Sequence, residues 1–391
     1  MSRVILPEPP AELKQLSVAL SERLRADIAA HGPLSFAVFM DRALYEPGLG
    51  YYSAGLHKLG QSGDFVTAPE LGELFAACLA RQVGELAPAL QHYDILEVGA
   101  GTGKLAVDLL RALPPELSPD RYLILETSAD LRRVQREHIA AYAPDWMERV
   151  TWLEEPPATA WRGVLIANEV VDALAAERFR ISAEGVEQIC VTVRGAAFDW
   201  AFRPAPIELE NAVRQVESGL GRALPIGYRS EVRPRLGAWL DALTARLHTG
   251  LALFVDYGYP RREYYLSERT VGTLMCHYRH CAHDDALFWP GLQDITAWVD
   301  FTALAEAADD CRLEVVGYNT QAMFLLGCGL EAVLAEQSDG RTEVGLALNA
   351  EARQLTLPGI MGERFQVMGL ARNLGSESLA GFSLQDLRYR L

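Results

Sequence analysis

One stretch of ten residues, Ile95-Leu96-Glu97-Val98-Gly99-Ala100-Gly101-Thr102-Gly103-Lys104, limits the fold more than any other part of the chain. It reads as a buried strand that runs into three alternating glycines and opens at once into an amphipathic helix carrying Leu105, Val107, Leu109 and Leu110. A glycine turn between a strand and a helix lets a ligand lie against bare backbone N–H groups at the positive helix terminus. The spacing then limits the ligand. A Walker-type phosphate loop requires glycine where Val98 stands and a hydroxyl where Leu105 stands. A dinucleotide fingerprint counted from Gly99 requires a third glycine where Lys104 stands, and that side chain is far too long for close helix packing.

What remains is Glu97-x-Gly99-x-Gly101-x-Gly103, which resembles the pattern of class I S-adenosylmethionine (SAM) methyltransferases. SAM has no pyrophosphate. Its loop needs close backbone approach to an amino-acid moiety, with acidic groups for the ammonium and the ribose hydroxyls. Arg121-Tyr-Leu-Ile-Leu-Glu126 reads as the next buried strand, ending in a carboxylate about one βα unit later. A doubly wound fold places its ribose-binding acid there. A plain glycine turn and a surface glutamate are the bland alternatives.

The 391 residues are half hydrophobic, enough to bury the core of one large domain or two moderate ones. The net charge of −16 disfavours a nucleic-acid groove, which needs a clustered cationic face. It is compatible with a cationic acceptor. No apolar run reaches the ~18 residues of a membrane span, so no membrane insertion is expected. Glu8, Glu12 and Glu22 lie among prolines near the start, without a signal or transit pattern. The six cysteines are scattered, as free thiols in a reducing compartment would be. Together these features predict a cytoplasmic protein.

Along the chain, helical spacing covers 11–30 and 34–45, the second with Ser35 near its cap. A further helix is predicted over 71–86, after a start at Pro69. Strands at 95–98, 121–126, 150–153, 163–167 and 251–256 alternate with helices in the doubly wound manner. Alternating apolar residues over 177–203 predict an antiparallel insertion, followed by helices around 207–219 and 232–247. A helix (299–309), a strand (312–318), a helical excursion (321–355) and a last strand (365–371) complete the sheet. The expected fold is therefore α/β, a Rossmann-like, seven-stranded, mostly parallel doubly wound sheet. Residues 1–90 form a helical cap with active-site loops, 91–176 and 248–391 the core, and 177–247 an inserted substrate subdomain.

Asn168 and Glu169 end a buried strand beside the glycine loop, with Asp172 three residues on. On a first helical turn, Glu169 and Asp172 would share a face. Methyl transfer is an in-line displacement at a sulfonium, so positioning supplies most of the catalysis. If the acceptor is a guanidinium, paired carboxylates hold its charge and aim one nitrogen at the methyl group. Asp172 read as a helix N-cap is the competing view. Asp256 ends the fifth strand, to touch the site or cap its turn. The segment 257–296 is too long for an ordinary connector. Within it, Cys276, His277, His280, Cys281 and His283 match no common zinc spacing, so no metal is expected. Arg279 and His280 are candidates for substrate or SAM-carboxylate contacts, and Gln293–Thr296 for capping the next helix.

With these segments in view, the chain resembles the MidA-type family of SAM-dependent methyltransferases. The resemblance is carried by Tyr45-Glu-Pro-Gly-Leu-Gly-Tyr-Tyr52, Gly63-Asp-Phe-Val-Thr67-Ala-Pro69-Glu70, Glu97–Gly103, Asn168-Glu169…Asp172-Ala173, Asp256-Tyr-Gly258 and Tyr278-Arg-His280…Gln293-Asp-Ile-Thr296. It implies a Rossmann-like fold with the Gly63–Glu70 loop closing over SAM. It also implies ω-nitrogen arginine methylation, symmetric dimethylation, of a protein partner such as a respiratory complex I subunit. The donor set expected is Gly63, Thr67, Pro69, Glu70, Glu97, Gly99, Ala100, Gly101, Gly103, Glu126, Thr127, Asn168 and Glu169, with Glu169, Asp172 and His280 catalytic. Two other readings stay open at this point: methylation of a small molecule or another side chain, and a non-catalytic SAM-binding assembly chaperone. The sequence does not give the oligomeric state.

Overall fold

The computed structural model describes residues 6–54, 67–337, 342–375 and 379–391. The chain forms two compact units. One comprises Met1–Phe65, Asp172–Leu236 and Arg261–Trp298, the other Val66–Val171, Gly237–Pro260 and Val299–Leu391.

The larger unit is built on a central sheet of seven strands: β1 (Asp94–Val98), β2 (Arg121–Leu125), β3 (Val150–Leu153), β4 (Trp161–Asn168), β5 (Leu247–Tyr259), β6 (Glu314–Thr320) and β7 (Phe365–Arg372). Their order is β6-β7-β5-β4-β1-β2-β3, and a two-residue strand, Val299–Asp300, pairs with β5 as well. β1 to β5 are parallel, and β7 runs antiparallel between β5 and β6. β1 is buried along its whole length, as a strand covered on both faces must be. Three helices follow the apolar spacing: α1 (Leu74–Leu90), α2 (Lys104–Ala112) and α3 (Ala129–Tyr142). α1 buries eleven residues, and all but Gln82, among them Phe75, Leu79, Val83 and Leu86, join one cluster with Ile95, Leu105, Leu109, Tyr122 and Ile166. α1 thus packs with the sheet core, although residues 1–90 read as one cap. Its apolar face is wide and continuous, and its partner is the sheet. The excursion after β6 resolves into Gln321–Gly327, Leu330–Gln337 and Glu343–Thr356.

The smaller unit opens with the helix Ala11–His31, which buries Leu20, Leu24 and Ile28 and stops at Gly32. The next helix, Phe36–Tyr45, starts where the Ser35 hydroxyl accepts from the Val38 N–H at 3.3 Å, the cap its sequence predicts. Strands Glu177–Ile181, Val186–Arg194 and Ala197–Pro204 form the expected antiparallel meander, extended by Arg229–Val232 and Leu34–Ser35. The segment 257–296 holds structure of its own. Met275–Tyr278 is the middle strand of a three-stranded sheet, with Cys281–His283 on one side and Asp294–Thr296 on the other. Residues 294–296 are therefore strand and not a helix cap. The following helix, Phe301–Asp310 of the larger unit, is capped by Asp300, whose carboxylate accepts from the Thr302 and Ala303 N–H groups. Among the described residues, no helix is long and apolar enough to cross a membrane.

Candidate active site

The carboxyl ends of β2, β1 and β4 lie side by side. Val98 is in register with Leu125 on one side and Ala167 on the other. β1 is flanked by β2 and β4, so the chain's winding reverses there, and open α/β sheets bind ligands at such a switch point. Just beyond these ends stand Gly99, Glu126, Asn168 and Glu169. Their spacing is set by backbone bonds from Gly99 N–H to Leu125 O at 3.0 Å and from Glu169 N–H to Val255 O at 2.8 Å.

The glycine loop takes left-handed backbone at all three glycines, with φ of +65° at Gly99, +53° at Gly101 and +84° at Gly103. L side chains avoid this region, so the spacing of the motif follows from the path of the turn. Ala100, between them, is buried. Gly103 has a second reason to lack a side chain: an added Cβ would stand 3.3 Å from Gln135 Cα on α3.

Glu97, the penultimate residue of β1, is 3% exposed and accepts from the Tyr122 hydroxyl at 2.8 Å. Burial pushes its carboxyl up to about 7, against the pull of the tyrosine bond and with a small push from Glu126. Glu126 is also buried, which raises its carboxyl, while bonds from Ser128 and Gln135 oppose the rise. One oxygen accepts from Ser128 N–H at 2.9 Å, the other from Gln135 Nε2 at 3.2 Å. The exposed Thr127 contributes through its backbone N–H.

On β4, Asn168 Nδ2 donates to Glu169 Oε1 at 3.3 Å, while Asn168 Oδ1 is buried with no hydrogen-bond partner. A buried acceptor in this position is available to a donor. Glu169 itself is held at φ +53°. Strained backbone of this kind at the carboxyl end of a central strand singles Glu169 out as a candidate functional residue. Asp256 proves to be a pin for this turn: its two oxygens accept from Val171 N–H and Tyr257 N–H, each at 2.8 Å.

The segment before α1 is tied to the glycine loop. Thr102 Oγ1 donates to Glu70 Oε1 at 2.6 Å, and Lys104 Nζ reaches Gly72 O at 2.9 Å while pairing with Asp108. Thr67 and Pro69 sit at the start of the short helix Ala68–Leu71, with Pro69 buried. Gly63, the remaining residue expected here, lies outside the described residues.

Two expected catalytic residues fall in the smaller unit. No helix follows Glu169. Residues 169–174 are bend and turn, so the shared-face argument for Glu169 and Asp172 lapses. The left-handed backbone at Glu169 prevents the helix from starting there. Asp172 is buried, and burial pushes its carboxyl up to about 6, with Arg233 drawing it down. Arg233 donates to the carbonyls of Asp172, Leu174, Ala297 and Trp298 at 2.5 to 3.2 Å, which holds this part of the chain together. His280 lies exposed at the tip of a two-residue turn, with Arg279 at φ +47° and His280 at +62°. Cys276 pairs across strands with His283, and burial pushes the thiol up and the imidazole down. Among the described residues, no three His, Cys, Asp or Glu side chains gather to hold a metal ion. The Tyr45–Tyr52 and Gln293–Thr296 motifs meet here: Tyr52 O–H donates to Asp294 Oδ1 at 2.9 Å, and the Tyr45 ring stacks on Tyr52.

Sequence reasoning missed Gln135, Trp152 and Thr102. Gln135 left a signal, since it occupies the i, i+4 row of α3 between Leu131 and Ile139, where a polar residue is out of place.

A mostly parallel sheet in the order 3-2-1-4-5-7-6, with strand 7 antiparallel, a bare glycine loop and an acid at the end of the second strand, defines a class I SAM-dependent methyltransferase. The available acceptor of Asn168, the oriented Glu126 carboxylate and the left-handed glycine turn all fit that donor. The chain belongs to a specific family of this class: residues 75–319 match the model described as putative S-adenosyl-L-methionine-dependent methyltransferase, the MidA-type family its motifs resemble. A likely methyl transferase from Burkholderia thailandensis, solved bound to S-adenosyl-homocysteine, is 39% identical over 99% of this chain and 100% of that one, with a TM-score of 0.93. Protein arginine methyltransferase NDUFAF7 homologue, mitochondrial, of Drosophila melanogaster is 27% identical, covering 96% of this chain and 93% of its own. The mouse protein arginine methyltransferase NDUFAF7, mitochondrial, is 28% identical over 92% and 86%. The protein is thus a methyltransferase, and SAM is its donor. The expectation of a cytoplasmic protein is overturned by the mitochondrial relatives. The six free thiols that suggested it do not distinguish one compartment from another.

Proposed function

We propose that the protein transfers a methyl group from SAM to an arginine ω-nitrogen of a protein partner, giving symmetric dimethylarginine. The observation that carries this reading is Glu169, an acidic residue whose backbone is held at φ +53° just past the carboxyl end of β4, beside the glycine loop. An added Cβ at Gly99 would touch the Val170 side chain at 3.4 Å, so the two turns are neighbours. A carboxylate there holds a planar guanidinium by charge and by paired N–H bonds, and turns one nitrogen toward the methyl carbon. Transfer forms the N–C bond and breaks the C–S bond. The electron pair leaves with sulfur and a proton leaves the nitrogen. Most of the acceleration comes from alignment. The relatives named as protein arginine methyltransferases support the same acceptor. The resemblance extends the proposal to a respiratory complex I subunit as partner. Of the other expected donor contacts, Thr67, Glu70, Glu97, Ala100 and Thr127 remain part of the proposal.

The test uses methyl-labelled SAM, the purified protein and a lysate of cells that lack it. The labelled protein is hydrolysed and its amino acids separated. Label in ω-methylated arginine is the expected result. Label in another residue, or only in small molecules, would overturn the assignment.

A further inference from the structure

We propose that Gln135 is the positioning residue for the donor's ribose: its amide locks the Glu126 carboxylate and the Gly101 carbonyl in one arrangement, so that ribose hydroxyls meet a preset acceptor. Gln135 is fully buried in α3. Its Nε2 donates to Gly101 O at 3.0 Å and to Glu126 Oε2 at 3.2 Å, and its Oε1 accepts from Trp152 Nε1 at 3.0 Å. One amide thus links the glycine loop, the end of β2 and the end of β3.

The chemistry of the partners fixes which way the amide faces. Indole N–H is a donor only, and a carbonyl and a carboxylate are acceptors only. The amide oxygen must therefore face Trp152 and the NH2 group must face the crevice. Packing alone does not call for this residue, because a leucine or methionine fills a buried helix position without an amide to satisfy. A lysine or arginine in its place would neutralise Glu126. The neutral amide orients the carboxylate and leaves its charge for the ligand. Ser128 N–H fixes the other oxygen at 2.9 Å, so both oxygens are held before the donor arrives. Gly103 completes the device, since its missing side chain lets the backbone of Gln135 come close to the loop.

The inference rests on SAM as the donor and not on the identity of the acceptor, and its test contains no acceptor. Calorimetry would compare binding of S-adenosylhomocysteine and its 2′-deoxy analogue to the full chain, the Gln135→Leu and Gln135→Met variants, and Glu126→Ala. The unsubstituted protein should favour the hydroxylated ligand by about tenfold or more, in the range of a hydrogen bond to a charged group. In Gln135→Met, which keeps the side chain's length, S-adenosylhomocysteine should weaken about tenfold and the analogue far less. The preference should fall toward one, as in Glu126→Ala. Gln135→Leu should behave the same way, and either variant suffices should the other fail to fold. Equal weakening of both ligands, with the preference intact, would make Gln135 a packing residue and overturn the proposal. A full preference in Glu126→Ala would overturn it as well, by placing the ribose elsewhere. The arginine reading would survive both of those results.

Discussion

Replacing Glu97 by glutamine should stabilise the ligand-free protein at alkaline pH and leave it unchanged in acid. Glu97 is 3% exposed, and burial moves its carboxyl from an ordinary 4.5 up to about 7. Below pH 4.5 the folded and unfolded chains both keep the proton, and the site has no pH dependence. Between 4.5 and 7 only the folded chain keeps it, so stability falls as pH rises, by about 1.36 kcal/mol for each pH unit. Above 7 both states are ionised and the whole loss, about 3 kcal/mol, remains. Glutamine is nearly the same size, does not ionise, and still offers an acceptor to the Tyr122 hydroxyl, which lies 2.8 Å from Glu97. Taking roughly 2 °C per kcal/mol for a large domain, Glu97→Gln should melt about 6 °C above the unsubstituted protein at pH 8 and together with it at pH 4. Scanning calorimetry of the ligand-free proteins across that range measures the difference. Melting curves that stay parallel from pH 4 to 8 would refute the reasoning, because the buried carboxylate would then carry no penalty. The same substitution should weaken SAM about tenfold at pH 8, since an ionised Glu97 serves the donor's ammonium in the proposed site.

Gly101→Val should cost about 1–2 kcal/mol of stability through its left-handed backbone and lower SAM affinity more than 100-fold. Unchanged affinity in the folded variant, measured by calorimetry, would displace the donor from this loop. Glu169→Gln should bind SAM as before yet lose at least 100-fold in turnover, read by transfer of labelled methyl to protein, and full activity would remove the guanidinium argument. Arg233→Met leaves four carbonyl acceptors without their donor, so at about 1 kcal/mol each it should destabilise the smaller unit by about 4 kcal/mol in urea unfolding. A change below 1 kcal/mol would show that these bonds are replaced by water.

The sequence by itself determined the mostly parallel sheet and the glycine turn at the end of β1. Both depend on short-range patterns: a buried strand, three glycines whose left-handed backbone no other residue adopts cheaply, and an acid at the next strand's end. Tertiary structure alone decided what these groups do to one another. Burial in the surrounding core pushes the Glu97 carboxyl up to about 7 against the opposing bond from Tyr122 on β2, and no local pattern reports burial of that kind. Asp256 became a turn pin, and Asp172 lost the helix that would have aligned it with Glu169, because one residue at φ +53° redirects the chain. Gln135 escaped notice for the same reason. Its partners Gly101, Glu126 and Trp152 stand 34, 9 and 17 residues away, and only the closing of the sheet brings them to one amide.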